Sequence, residues 1–154
     1  MQGRHREGAL IMSSKPQTDL SQLREITNRL EHTETFFEAF LSQAPFVMWL
    51  KDYSSGEGKM VFISEKYADI FGVDDMQYVG KRDVDIWPPR IADMFKRQDL
   101  EVMRTEKPVL MVEETPMANK KEWNSCMTLK FPIKDCSGHV IAVGGIAWPE
   151  DGRV

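Results

Sequence analysis

The run Val140–Trp148, VIAVGGIAW, constrains the fold more than any other stretch of the chain. It carries no charge. Successive side chains of a strand point to opposite faces, so one face reads Val140, Ala142, Gly144, Ile146, Trp148 and the other Ile141, Val143, Gly145, Ala147. A strand that is apolar on both faces belongs in a sheet covered on both sides, and Gly144 and Gly145 leave room for a close approach of helix, ligand or backbone. The run before it, Trp123–Ile133, is two-sided. Met127, Leu129, Phe131 and Ile133 make an oily face, and Asn124, Cys126, Thr128 and Lys130 a mildly polar one. The turn Asp135-Cys136-Ser137-Gly138 joins the two runs into a hairpin. On pattern alone the polar face reads as meeting solvent, with an interior lining as the alternative.

The other elements follow from local signals. Residues 1–17 are polar, contain Gly and Pro, show no periodicity and read as a flexible tail. A helix over 18–44 starts at Thr18 as N-cap and ends before Pro45. Its apolar positions Leu23, Ile26, Leu30, Phe37, Phe40 and Ala44, with Thr33 in the seam, step by threes and fours, a packing stripe or short coiled coil. FVMWLKD and MVFIS read as strands around the turn YSSGEGK. Residues 64–72 read as a short helix with Ser64 as N-cap and Gly72 as its left-handed stop. A longer helix runs from Pro88 or Pro89 to about Glu106, with Ile91, Met94, Phe95, Val102 and Met103 as its apolar stripe. VLMVEETPM is a third strand. Strands grouped at both ends of a helical middle predict an α+β fold with an antiparallel sheet over 45–149, followed by a short tail at 150–154.

Several function classes are disfavoured. The net charge is −4 and no Lys/Arg cluster is long enough to track a phosphate backbone, which argues against nucleic acid as a partner. No apolar run approaches the ~20 residues of a membrane span, and the N-terminus lacks the apolar core of a secretory signal. Cys126 and Cys136 have neither CxxC nor Cys/His zinc spacing, so they read as reduced thiols of a cytoplasmic protein. Asp83 and Asp85 in RDVDIW could invite a metal, but such residues more commonly cap turns, and no metal site is assigned. There is no nucleophile elbow, P-loop or dinucleotide fingerprint, so no catalytic residues are assigned and no enzyme is expected. Met94, Met103, Met111 and Met127 fall in core-building elements, where methionine suits a plastic cavity or ordinary packing alike.

Four segments in register resemble a PAS domain, a sensory module of bacterial signalling proteins. FVMWLKD is similar to its first strand, and FISEKYADIFGV to its second strand and first helix. VGKRDVDIWPP is similar to the stretch leading into its long helix, and EWNSCMTLKFPIKDCSGHVIAVGGIA to its last two strands. The resemblance covers Phe37 to Trp148. It implies a five-stranded antiparallel sheet with helices on one face around a small cavity, and an amphipathic N-terminal helix that covers the other face and dimerises. Leu23, Ile26, Leu30, Phe37 and Phe40 are then the candidate dimer interface.

By the same resemblance Cys126, Thr128 and Lys130 face the cavity, as do Val47, Trp49 and Lys51. Phe62, Tyr67, Phe71, Met94, Val143 and Ala147 complete the candidate ligand pocket. Two inward lysines need anionic partners, because an unpaired buried ammonium is strongly penalised. Glu113 or Glu114 supplies one from inside, or an acidic small ligand does so from outside. The cysteine-bearing helix motif of photoactive flavin domains is absent, and Pro88–Glu106 contains no histidine to ligate haem, so neither cofactor has support. The chain leaves its last strand as GGIAWPEDGRV rather than through the family's usual Asp-hydrophobic-Thr exit, and so reads as a fragment of a longer sensor or a stand-alone module. The implied function is a cytoplasmic homodimeric sensory module that binds a small ligand and regulates an effector protein. The alternative is a ligand-free docking domain whose own side chains fill the cavity.

Overall fold

The computed structural model describes residues 33–116 and 123–150. Helix α1 (Thr33–Gln43) stops just short of Pro45, as the proline requires. Most of the heptad stripe, including Leu23, Ile26 and Leu30, lies outside the described residues, as does the side chain of Phe37; Phe40 is more than half exposed.

Five strands follow the order of the sequence reading: β1 (Val47–Asp52), β2 (Lys59–Ile63), β3 (Val109–Pro116), β4 (Trp123–Lys134) and β5 (Val140–Pro149). They form one antiparallel sheet in the spatial order β2-β1-β5-β4-β3. The chain's last strand therefore lies in the middle. Its apolar character on both faces follows from that position, and six of its residues from Ala142 to Ala147 include five that are buried. Between β2 and β3 come α2 (Glu65–Phe71), α3 (Asp75–Tyr78), a single 3₁₀ turn at Asp83–Asp85 and α4 (Pro89–Thr105). Helix α2 packs on β1 and α4 on β4 and β5, on the same side of the sheet. This is the α+β architecture that the sequence implies.

Local chemistry sets the helix ends. Gly72 stops α2 at φ +71°, its N–H donating to the Ala68 carbonyl at 2.8 Å. Ser64 occupies the N-cap position of α2 but does not cap it. Its hydroxyl instead accepts from the Met48 N–H at 2.9 Å, joining the start of the helix to β1. Asp74 and Gln77 form a reciprocal capping box on α3. Pro89 opens α4 in the first turn, where its missing N–H costs no intrahelical bond.

The hairpin β4–β5 turns on Asp135, whose carboxylate accepts from the N–H groups of Ser137 and His139 at 2.9 Å each. On β4 the buried positions are Cys126, Thr128 and Lys130, while Met127, Leu129, Phe131 and Ile133 are half-buried. The mildly polar face is thus turned to the core and does not meet solvent as its pattern alone suggests, because the helices cover it.

Candidate functional site

β1 and β4 each send a lysine inward, and their partners come from three separate elements. Lys51 Nζ lies 2.6 Å from Asp83 Oδ2 on the 3₁₀ turn and 2.9 Å from Asp99 Oδ2 on α4. Lys130 Nζ lies 2.9 Å from Asp99 Oδ1 and donates to Gln98 Oε1 at 2.9 Å. Tyr53, two residues beyond Lys51 on the same face, donates to Asp99 Oδ2 at 2.9 Å. Tyr78 donates to Asp83 Oδ1 and accepts from Trp87 Nε1. The Phe95 ring lies below both ammonium groups, 5.4 Å from Lys51 Nζ and 5.2 Å from Lys130 Nζ. Every charged member is buried.

Attraction decides the protonation of this network. Burial alone would drive the Lys51 pKa down, but Asp99 and Asp83 hold it above the ordinary lysine range. Burial would likewise push Asp99 up, yet Lys51 and Lys130 keep it below the ordinary carboxylate range. The phenols of Tyr53 and Tyr78 are pushed up, first by burial and then by Asp99 and Asp83 respectively.

Beside the network lies a residual cavity of about 20 Å³, walled by Trp49, Met60, Tyr67, Phe71, Tyr78 and Phe95, with Lys51, Lys130 and Glu113 at its polar side. This is room for roughly one water. The rings around it meet edge to face or tilted, from Trp49 through Tyr67 and Phe71 to Trp87 and Phe95.

Glu113, on the inner face of β3, differs from the other carboxylates. Its Oε1 is 3.3 Å from Lys130 Nζ, close enough for attraction but off the hydrogen-bonding direction, so this buried oxygen accepts no hydrogen bond. The hydroxyls of Thr115 and Thr128 are also buried without a hydrogen-bond partner. Thr115 follows Glu113 by two residues on the same face, and Thr128 stands opposite Met111, the next inward position of β3. Three unsatisfied oxygens thus share one patch of the β3–β4 wall.

Among the sequence candidates, Trp49, Lys51, Tyr67, Phe71 and Lys130 line the cavity. Val47, Cys126 and Ala147 are in the surrounding core, and Thr128 is fully buried on the same wall. Val143 packs instead with Tyr53 and Val102 in a separate cluster. Phe62 is not in the cavity. A bulge gives β2 an extra residue between Met60, opposite Lys51, and Phe62, opposite Leu50, so Met60 and Ile63 take the inward positions. Met94 is half-buried at the edge of the core, and its neighbour Phe95 takes the place below the lysines.

Of the acidic pair, Glu113 faces in and Glu114 is exposed. Of the two aspartates, Asp85 behaves as a turn cap, accepting from the Arg82 N–H at 3.0 Å, whereas Asp83 is a buried partner of Lys51. Asp99 escaped the sequence reading, although it continues the Ala92–Phe95 stripe of α4 by one turn. Among the described residues no helix is long and apolar enough to cross a membrane.

Comparisons place this geometry. A profile of the PAS fold matches residues 41–149. Among solved structures, the PAS domain of BvgS from Bordetella pertussis superposes with a TM-score of 0.61 at 18% identity, over 79% of this chain and 86% of that one. VqmA from Vibrio cholerae gives 0.62 at 20% identity over 74% of this chain; the matched region is 51% of VqmA, so the chain spans about half of it. A LOV protein of Rhodobacter sphaeroides gives 0.62 at 15% identity, over 88% of this chain and 70% of that one. No curated protein matches in sequence. With the profile covering most of its length, the chain belongs to the PAS-fold family.

Proposed function

We propose that the chain is a sensory module that receives a small molecule between the β3–β4 wall and the aromatic side of the core, and regulates an effector protein through its dimeric state. The observation that carries this reading is the patch of three buried, unsatisfied oxygens on Glu113, Thr115 and Thr128. A buried polar group left without a partner costs about 1–3 kcal/mol, and a core with no use for it would hold valine or leucine there. VqmA, similar in fold, has been solved bound to DPO. The module is non-catalytic in this reading, with its buried aspartates committed to lysines. The exposed, unlinked thiol of Cys136 suits a cytoplasmic setting. Binding transmits a signal only if it favours one arrangement of the module over another.

The small residual cavity favours a second reading, in which Trp49, Phe71 and their neighbours fill the core and the module serves for docking alone. Native mass spectrometry of the untagged chain, followed by denaturation and analysis of the released small molecules, separates the two. A bound molecule lost on denaturation supports the sensor. A bare dimer mass supports the docking module, and a bare monomer argues against dimerisation in either form.

A further inference from the structure

Among the described residues the buried charges are unequal in number: two ammonium groups, on Lys51 and Lys130, face three carboxylates, on Asp83, Asp99 and Glu113. The two aspartates accept the hydrogen bonds of the lysines, while Glu113 Oε1 stands 3.3 Å from Lys130 Nζ as an ion pair without a hydrogen bond. Asp99 gives one oxygen to each of them, and Asp83 divides its oxygens between Lys51 and Tyr78. Lys130 is further occupied by Gln98. The unsatisfied capacity at the cavity is therefore that of an acceptor, the Glu113 Oε1, flanked along the wall by the hydroxyls of Thr115 and Thr128. The opposite wall offers the rings of Tyr67 and Phe71, whose faces attract positive charge. An incoming anion would find both lysines engaged and a carboxylate in its way.

On the sensor reading given above, we infer that the ligand is a compact hydrogen-bond donor, cationic or neutral and of the amidinium or amide type, seated with its N–H groups on Glu113. This reverses the acidic ligand that two inward lysines suggest by themselves. Glu113 becomes the residue that selects for charge, and Thr115 and Thr128 orient the ligand without setting its sign.

The test uses three planar probes of the same shape, acetamidinium, acetamide and acetate, titrated into the 154-residue chain and followed at the backbone amides of Glu113, Thr115 and Thr128 by NMR. Acetamidinium should bind about tenfold or more tightly than acetate, as a charge-assisted hydrogen bond against a like charge requires. Acetamide should fall between them. In Glu113→Gln the advantage of acetamidinium over acetamide should disappear while acetamide still binds. Acetate binding as well as acetamidinium overturns the inference, and so does a preference that survives Glu113→Gln or the absence of any response at these amides. Should Glu113→Gln fail to fold, the order of the three probes on the unaltered chain decides the matter alone. An anionic molecule released from the purified protein would defeat this inference and leave the sensor reading standing. Silent probes together with a bare native mass would defeat both.

Discussion

Lys51 on β1 and Asp99 on α4 meet at 2.9 Å with both side chains shut away from solvent. The carboxylate that holds Lys51 also holds Lys130, so one residue of α4 ties the helix to two strands that are not adjacent in the sheet. Removing a single partner from such a network leaves the others as uncompensated buried charge.

Asp99→Asn therefore should destabilise the fold by about 3–5 kcal/mol, even though the amide can still accept from Tyr53. Urea denaturation reads this as a lower midpoint at an unchanged slope. A change within about 0.5 kcal/mol, the range of an ordinary surface substitution, would mean that the pair is far better hydrated than its burial implies.

The same network sets the pH range of stability. Asp99 titrates below the ordinary aspartate value of 3.8 in the folded state, so its contribution is complete above that value and is lost as the pH falls through the folded pKa. Lys51 titrates above the ordinary 10.5, so its contribution is complete below that value and is lost as the pH rises through the folded pKa. Tyr53 and Tyr78, both pushed up, add to the alkaline loss. Urea midpoints should show a plateau from about pH 4 to about pH 10 for this part of the stability. Asp99→Asn should flatten the acid limb, and an unchanged acid limb in that variant would assign it to other carboxylates.

Thr128→Val separates a binding role from a packing role. The hydroxyl it removes has no partner, so the variant should be at least as stable as the parent in urea. Retention of any co-purifying molecule should fall. A destabilised variant would show that the hydroxyl is bonded in solution, and a stable variant with unchanged retention would place the ligand elsewhere.

Two glycines should respond differently to alanine. A Cβ on Gly145 would collide with the Trp49 indole, and overpacking of this kind costs about 1–3 kcal/mol. A Cβ on Gly138 would meet no atom beyond its chain neighbours within 4 Å, but φ is +87°, so the cost of about 1 kcal/mol comes from the backbone alone. Trp49→Phe should relieve Gly145→Ala and leave Gly138→Ala unaffected, which a comparison of double variants would show.

The heptad stripe makes its own prediction. If it forms the dimer seam, Leu30→Glu converts dimer to monomer in sedimentation velocity. A parent chain that is already monomeric would end the idea.

Strand alternation made much of the interior legible. Alternation puts Trp49 and Lys51 on one face of β1 and Thr128 and Lys130 on one face of β4, the resemblance to the PAS fold turns those faces inward, and the need for buried anions then follows from desolvation. Their identity does not. Asp99 is two turns from Ala92 and one from Phe95, so it lies on the buried stripe of α4, but a hydrophobic reading passes over a charged residue. The informative sign was the conjunction of an acidic residue inside an apolar stripe with two lysines lacking partners. Asp83 shared its local pattern with Asp85, and only the tertiary fold turned one inward and left the other as a cap. Phe62 was misplaced because a bulge changes the phase of β2, and no residue type in KMVFI announces it.

Gly144 and Gly145 are neighbours on the central strand whose missing side chains lie on opposite sides. A Cβ on Gly144 would strike the ring of Phe131 on the outer face, and one on Gly145 the ring of Trp49 inside. Here the partition between interior and exterior is a single peptide thick. A displacement of the indole by a bound molecule would press on main chain that carries Phe131 on its far side, with no relay of side chains to absorb the movement. The module would work at this point as a diaphragm, where interior volume is read out as a change in surface shape.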